Sequence, residues 1–347
     1  MARVVFEPLG EEIECGPEET VLDAAFREGY ALVYGCREGQ CSACKCFLLE
    51  GEVSLKSYSS FALSETEEAQ GYTLLCRAMP DDDLVVELLH YDPENYRLDI
   101  PIRDGTAKVI AVEDLTHDIS RLELEIAEPT DFTHRAGHYV DLHVPDAEGE
   151  KRSFSMANLP GEGRIELMIK RYPGGRFSGL LEAGLELGTE LRFTGPYGAF
   201  YLRDSERTIL MVAGGSGMAP EIALLRELAK AGSEREVRFF YGARTRRDLC
   251  CEALIAELGA KLPNFEFIPV LSDATDEDAW EGETGFVHEA ADRWLTANGA
   301  DVDAYICGPP PMVDATIELL TDSYQVEEAQ IFYDKFTTNA AADEAST

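Results

Sequence analysis

Residues 35–44, Gly35-Cys36-Arg37-Glu38-Gly39-Gln40-Cys41-Ser42-Ala43-Cys44, place three cysteines at C-x4-C-x2-C spacing inside one glycine-bent loop. A fourth, Cys76, follows after 31 intervening residues, in Thr73-Leu74-Leu75-Cys76-Arg77. This is a spacing at which four thiolates hold a [2Fe–2S] cluster. Such a centre keeps net negative charge, so the loop has to wrap it closely and aim backbone N–H groups at sulfur; Gly35 and Gly39 permit the tight conformations this needs. Structural zinc usually takes its ligands as two close pairs, and a disulfide framework belongs to oxidising compartments. Neither pattern fits as well. Cys46 competes with Cys44 for one ligand position. Spacing selects Cys36, Cys41, Cys44 and Cys76 as metal ligands and leaves Cys46 as a small buried residue opening the strand Cys46-Phe47-Leu48-Leu49.

The chain has 347 residues, room for two or three domains each with its own core. Apolar residues make up 45% and aromatic residues 9%, which fits a globular protein rather than a disordered one. The opening Met1-Ala2-Arg3-Val4-Val5-Phe6-Glu7 has no basic stretch leading into an apolar run, so no secretory signal is expected. No apolar run approaches the roughly 18 residues that span a bilayer. Nine cysteines in such a chain point to the reducing cytoplasm, where thiols serve metals and redox chemistry. A formal net charge of −36 argues against nucleic acid and anionic membranes as partners. Residues 1–99 alone carry 21 acids against 7 bases. That acidic surface would steer a partner with a basic docking face, or serve solubility alone.

Taken in order, residues 2–7 and 11–15 read as a β-hairpin. Glu19 to Gly29 reads as a helix with Thr20 at its N-cap and Gly29 as its stop. Hairpin, helix, cluster loop, strand and the closing strand Leu84-Val85-Val86-Glu87-Leu88 make a small α+β unit. That order resembles the β-grasp fold of plant-type ferredoxins, with Tyr91 to Tyr96 as an exit linker. From Thr106 the pattern changes to short strands at 107–112, 119–124, 139–144, 164–169 and 190–193, which favours an antiparallel β-barrel. After Thr194-Gly195-Pro196-Tyr197-Gly198 it changes again, to alternating strand and helix. The apolar strand Thr208–Ala213 runs into Gly214-Gly215-Ser216-Gly217-Met218-Ala219-Pro220 and a helix from Glu221, an arrangement that offers a diphosphate site at a helix N-terminus. Vicinal Cys250 and Cys251 read as helix packing.

Within the barrel, Arg152-Ser153-Phe154-Ser155 and the later Gly174-Gly175-Arg176-Phe177-Ser178 resemble the flavin motifs of the ferredoxin–NADP reductase superfamily, with Phe154 in place of the usual tyrosine. The resemblance implies a Greek-key barrel for FAD and an α/β parallel-sheet nicotinamide domain. It implies that Arg152 binds the pyrophosphate, assisted by N–H groups at Gly175 and near Ser178. Phe154 would stack on the flavin and Ser155 would hydrogen-bond its N5, with Ser153, Ile169, Lys170 and Gly174 completing the pocket. Gly214, Gly215 and Gly217 would hold the nicotinamide dinucleotide. Cys307, in Cys307-Gly308-Pro309-Pro310, would lie beside the nicotinamide, and Phe336 would cover the flavin. Arg244, Arg246 and Arg247 lean towards a 2′-phosphate, but the family most resembled uses NADH, which is the expected donor.

The whole order resembles the ferredoxin–FAD–NADH reductases of soluble di-iron monooxygenases of the methane and propane type. It implies domains at 1–96, 102–203 and 204–337, with a polar tail at 338–347. It also implies a cytoplasmic monomer that passes electrons from NADH through FAD and the [2Fe–2S] cluster to a di-iron hydroxylase acting on a hydrocarbon such as propane. The same architecture could instead feed a Rieske aromatic-ring dioxygenase or a deoxygenation enzyme of the CDP-glucoseen kind. A non-catalytic redox sensor is the reading from outside enzymology.

Overall fold

The computed structural model describes residues 1–336 apart from Glu94, Asn95, Asp146 and Glu148; the tail at 338–347 and part of the expected exit linker lie outside the described residues. Two units divide the chain, one ending at Ile102 and the other running from Arg103 to Phe336.

In the first unit, β1 (Ala2–Glu7) and β2 (Glu11–Cys15) form the expected hairpin, followed by α1 (Val21–Arg27). Thr20 caps α1 by accepting the Asp23 N–H. Then come β3 (Lys45–Glu50), β4 (Val53–Leu55), α2 (Glu65–Ala69), β5 (Tyr72–Leu74), β6 (Ala78–Pro80) and β7 (Leu84–Leu88). The main sheet runs β2-β1-β7-β3-β5, with β4 and β6 as a separate ribbon. Only β1 and β7 pair in parallel, because the intervening chain crosses over to return alongside the first strand. Alternation along β1 and β7 buries Val4, Phe6, Leu84, Val86 and Leu88, and the apolar face of α1 buries Val21, Leu22, Ala25 and Phe26.

The second unit begins with a barrel: β8 (Arg103–Asp114), β9 (Ile119–Glu128), β10 (Tyr139–His143), β11 (Lys151–Ser155), β12 (Arg164–Lys170), α3 (Arg176–Glu182) and β13 (Glu190–Tyr197). The strands are antiparallel in the order β11-β10-β13-β8-β9-β12, and a bridge between Met156 and Leu167 joins the two edges. Closure leaves Val109, Leu122, Leu124, Val140, Leu142, Leu167 and Phe193 in a common core.

A parallel sheet follows, built from β14 (Thr208–Gly214), α4 (Met218–Ala231), β15 (Val237–Ala243), α5 (Glu252–Gly259), β16 (Phe265–Leu271), β17 (Glu283–Thr284), α6 (Val287–Asn298), β18 (Val302–Gly308), α7 (Pro310–Glu318) and β19 (Ile331–Lys335). Its order is β17-β16-β15-β14-β18-β19. The chain reverses direction across the sheet between β14 and β18, so a crevice opens beyond the carboxyl ends of those two strands. Helix α4 starts three residues before the sequence suggests, since a turn of 3₁₀ helix at Gly215–Gly217 runs straight into it. Cys250 and Cys251 are not packed within a helix, as the sequence suggests. They precede α5, with Cys251 at its N-cap in a left-handed conformation (φ 61°). Among the described residues no helix is long and apolar enough to cross a membrane.

Candidate functional site

The three cysteines of the loop and Cys76 gather into two pairs. Cys36 and Cys41 hydrogen-bond through their sulfurs, as do Cys44 and Cys76. A centre of two irons with four terminal thiolates needs two sulfurs per metal, so the donor set fits. Backbone N–H groups of Glu38 and Gln40 point at the Cys36 sulfur (3.4 and 3.2 Å), and that of Cys36 at the Cys41 sulfur (3.2 Å). The hydrogen bond from Cys36 is the main reason the Cys41 thiol is pulled down to about 6, against burial. Gly35 is required by space: a Cβ there would sit 2.8 Å from the Cys41 sulfur. Cys46 is fully buried within β3, its thiol pushed up by burial, and takes no part in the group.

On the barrel, Arg152 and Phe154 share one face of β11 and Ser153 and Ser155 the other. The Phe154 ring packs on Phe177 at 5.1 Å. The Ser155 hydroxyl is buried with no partner in the protein, an orphan that a bound cofactor's hydrogen-bonding atom would satisfy. Among the described residues Arg152 is held by the Lys151 carbonyl and by Glu150, its immediate neighbours along the chain. Ser153 donates to the buried Asp141 at 2.7 Å. Gly174 has φ 74° and open space around it. The Gly175 N–H, expected to face a phosphate, is already engaged by the Tyr172 carbonyl at 2.9 Å, while the Ser178 hydroxyl accepts from the Tyr172 N–H. The Ile169 side chain is buried in the barrel core, and Lys170 turns away to pair with Asp118 at 2.9 Å.

Lys170 and Asp118 belong to a cavity of about 340 Å³ that opens where Gly214 and Gly215 end β14; Phe336, Phe286, Arg244 and Asp248 also line it. Gly217 admits no side chain, because a Cβ would meet the Cys307 carbonyl at 2.2 Å; the start of α4 is thereby pressed against the end of β18. The Cys307 side chain is fully buried, with its thiol driven well up by burial, and is not among the groups on the cavity wall. Phe336 is on that wall, tied by its N–H to the Gly308 carbonyl. Tyr241 donates to the Gly215 carbonyl at 3.0 Å and bonds Cys250.

Sequence reasoning missed Asp118 and Asp248. Burial works against the Asp118 charge, yet Lys170 and Thr116 hold its carboxyl below the usual range. Thr245 and Arg244 do the same for Asp248. Arg244 reaches Asp248 at 2.7 Å and Asp118 at 3.4 Å, so the arginine expected to read a phosphate is already matched by two acids. An acid a few residues past the second strand of a nucleotide fold was the available signal.

Residues 4–81 match the 2Fe-2S iron-sulfur cluster binding domain, 106–201 the oxidoreductase FAD-binding domain and 211–318 the oxidoreductase NAD-binding domain. The chain is 46% identical to the reductase component of propane 2-monooxygenase from Gordonia sp. (strain TY-5), over 97% of this chain and 98% of that one. The chain belongs to the monooxygenase reductase components. A further relative in this family, the phenol 2-monooxygenase reductase component DmpP of Pseudomonas sp. (strain CF600), is 38% identical over 97% of this chain and 95% of its own. The crystal structure of the Amycolatopsis cytochrome P450 reductase GcoB superposes with a TM-score of 0.86 at 33% identity, covering 97% and 99% of the two chains. As a member of these oxidoreductases the protein joins a [2Fe–2S] domain, an FAD domain and an NAD domain in one polypeptide.

Proposed function

We propose that this protein takes electrons from NADH and delivers them singly to the di-iron hydroxylase of a multicomponent monooxygenase that oxidises a short alkane such as propane. The observation that carries this reading is the gathering of four thiols into two pairs, three of them from a loop whose N–H groups already face sulfur. When bound, the nicotinamide and flavin would supply hydride transfer as a two-electron entry, and the iron–sulfur centre a one-electron exit.

The chain's own residues do the rest. Cys36, Cys41, Cys44 and Cys76 hold the cluster. Arg152 offers its guanidinium to the FAD pyrophosphate, Phe154 a stacking face and Ser155 its unpartnered hydroxyl. Gly214, Gly215 and the start of α4 receive the dinucleotide diphosphate, where the N–H groups of a 14-residue helix favour anions. Phe336 covers that cavity. NADH rather than NADPH is favoured because Asp248 lines the cavity and, with Asp118, holds Arg244; an acid there accepts from a free ribose hydroxyl and repels a 2′-phosphate. None of the nine cysteines is joined in a disulfide, in keeping with a cytoplasmic setting.

The test is anaerobic purification followed by reconstitution with a purified propane hydroxylase. NADH-dependent propane consumption is the expected result. A colourless protein lacking flavin, iron and acid-labile sulfide would end the proposal.

A further inference from the structure

The barrel and the parallel sheet meet through apolar side chains, Ala157 and Met168 from one side and Met218, Ala219 and Ile222 from the other. Such burial is non-directional and fixes an area better than an alignment. Arg226, two turns into α4, crosses the same seam. Its Nη1 donates to the Ala157 carbonyl and to Glu166 Oε2, both at 2.8 Å, and its Nη2 donates to Glu166 Oε1 at 3.2 Å. The Glu166 side chain is 1% exposed and that of Arg226 16%. Around them, the Ala157 N–H donates to the Glu166 carbonyl at 2.7 Å and the Glu166 N–H to Asn158 Oδ1 at 2.8 Å. The segment 155–158 is therefore gripped from both its neighbours, β12 and α4.

The two ends of this linkage are the informative part. Two residues before Ala157 lies Ser155, whose hydroxyl is buried without a partner. At the other end Gly217, the N-cap of α4, is pressed on the Cys307 carbonyl at the end of the glycine turn. A buried ion pair contributes little net stability over a well-packed apolar pair, because desolvation offsets the attraction. A guanidinium fork on a carboxylate does fix distance and angle together.

We propose that Arg226, acting through Glu166 and the Ala157 carbonyl, is a positioning residue that aligns Ser155 with the glycine turn of α4 for the hydride step. This rests on the reading given under Proposed function. Arg226 touches neither reactant. It sets the frame in which they meet, and an error of about 1 Å in such a frame can cost on the order of 100-fold in rate.

The experiment uses the full chain with FAD and cluster bound, and follows flavin bleaching by stopped flow with NADH and with 4-deuterated NADH. The paired variant Arg226→Met with Glu166→Leu removes both charges, and Arg164, which also reaches Glu166 at 3.7 Å, keeps Glu123 and Glu162 as partners. It is expected to keep its FAD and its thermal midpoint, to bleach at least tenfold more slowly at saturating NADH, and to show a larger isotope effect. Its 155–158 segment should exchange amide hydrogens faster, and Arg226→Lys should recover part of the rate. Bleaching of the paired variant at the wild-type rate would overturn the proposal. Should the pair fail to hold FAD, Glu166→Gln, which keeps the Ala157 contact, should give an intermediate rate, and a wild-type rate there would overturn it equally. If the wild-type protein itself is not bleached by NADH, the functional reading fails; the exchange measurement then decides separately, since unchanged exchange at 155–158 in the paired variant refutes the clamp.

Discussion

The cysteine loop and the cleft beyond the end of β14 are built on opposite plans. The loop takes three of its four functional side chains from nine consecutive residues, 36–44, and shapes itself with its own N–H groups. The cleft is assembled from the ends of strands far apart in sequence: Asp118, Lys170, Gly215, Asp248 and Phe336 meet only because a barrel edge and a parallel sheet bring them together. A site of the first kind should fail completely when one ligand is lost. A site of the second kind should degrade by degrees.

The largest effect expected is at the loop. Cys41→Ser or Cys76→Ser should abolish the iron–sulfur absorbance and electron delivery to a one-electron acceptor, while NADH-driven reduction of a hydride-accepting dye persists. Cys46→Ser should keep the absorbance and lose about 1–3 kcal/mol of stability, the cost of an unsatisfied buried hydroxyl, measured by thermal denaturation. A Cys46 variant without a cluster would show that spacing misled the choice of ligand.

In the cleft, Gly217→Ala forces a methyl group against the Cys307 carbonyl. NADH reduction should slow by roughly 10–100-fold with the cluster spectrum untouched. Asp248→Asn removes one charge facing the cavity; the ratio of kcat/KM for NADPH over NADH should rise roughly tenfold, equivalent to about 1.4 kcal/mol. An unchanged ratio would move the discrimination elsewhere.

The smallest effect concerns stability alone. Glu221, in the first turn of α4, is fully buried with both oxygens unpartnered, and burial raises its pKa well above the ordinary 4.5. Above pH 4.5 the folded chain then holds a proton that the unfolded chain has released, so stability falls as pH rises through this window. Glu221→Leu should stabilise by on the order of 1–3 kcal/mol and raise the thermal midpoint by a few degrees. The gain should be larger at pH 8 than at pH 5; an equal gain at both would mean that the carboxyl is not held neutral.

The same contrast explains what could be read in the sequence. Strand and helix patterns located the ferredoxin unit, the barrel and the parallel sheet, because alternation and glycine-marked turns are local signals. The cysteine spacing was local too. Asp248 follows the second strand of the sheet and could have been read, but Asp118 was not legible, since nothing near it says that it will face Lys170 and Arg244; that pairing is a product of tertiary packing. For the same reason a run of arginines after β15 looked like a phosphate site until its neighbours were in place. Cys250 and Cys251 were misplaced because the left-handed turn at Cys251 has no glycine to announce it.

Ser42 takes φ 56° and its carbonyl accepts the Lys45 N–H, so the turn finishes just as β3 begins. In the run Cys44-Lys45-Cys46 two identical thiols are thus sorted by backbone shape alone, one left in the loop and one sealed under the sheet. Iron delivered to the folded chain meets no rival sulfur at that point, and a single inserted or deleted residue between Cys41 and Lys45 would disrupt the centre even with every cysteine still present.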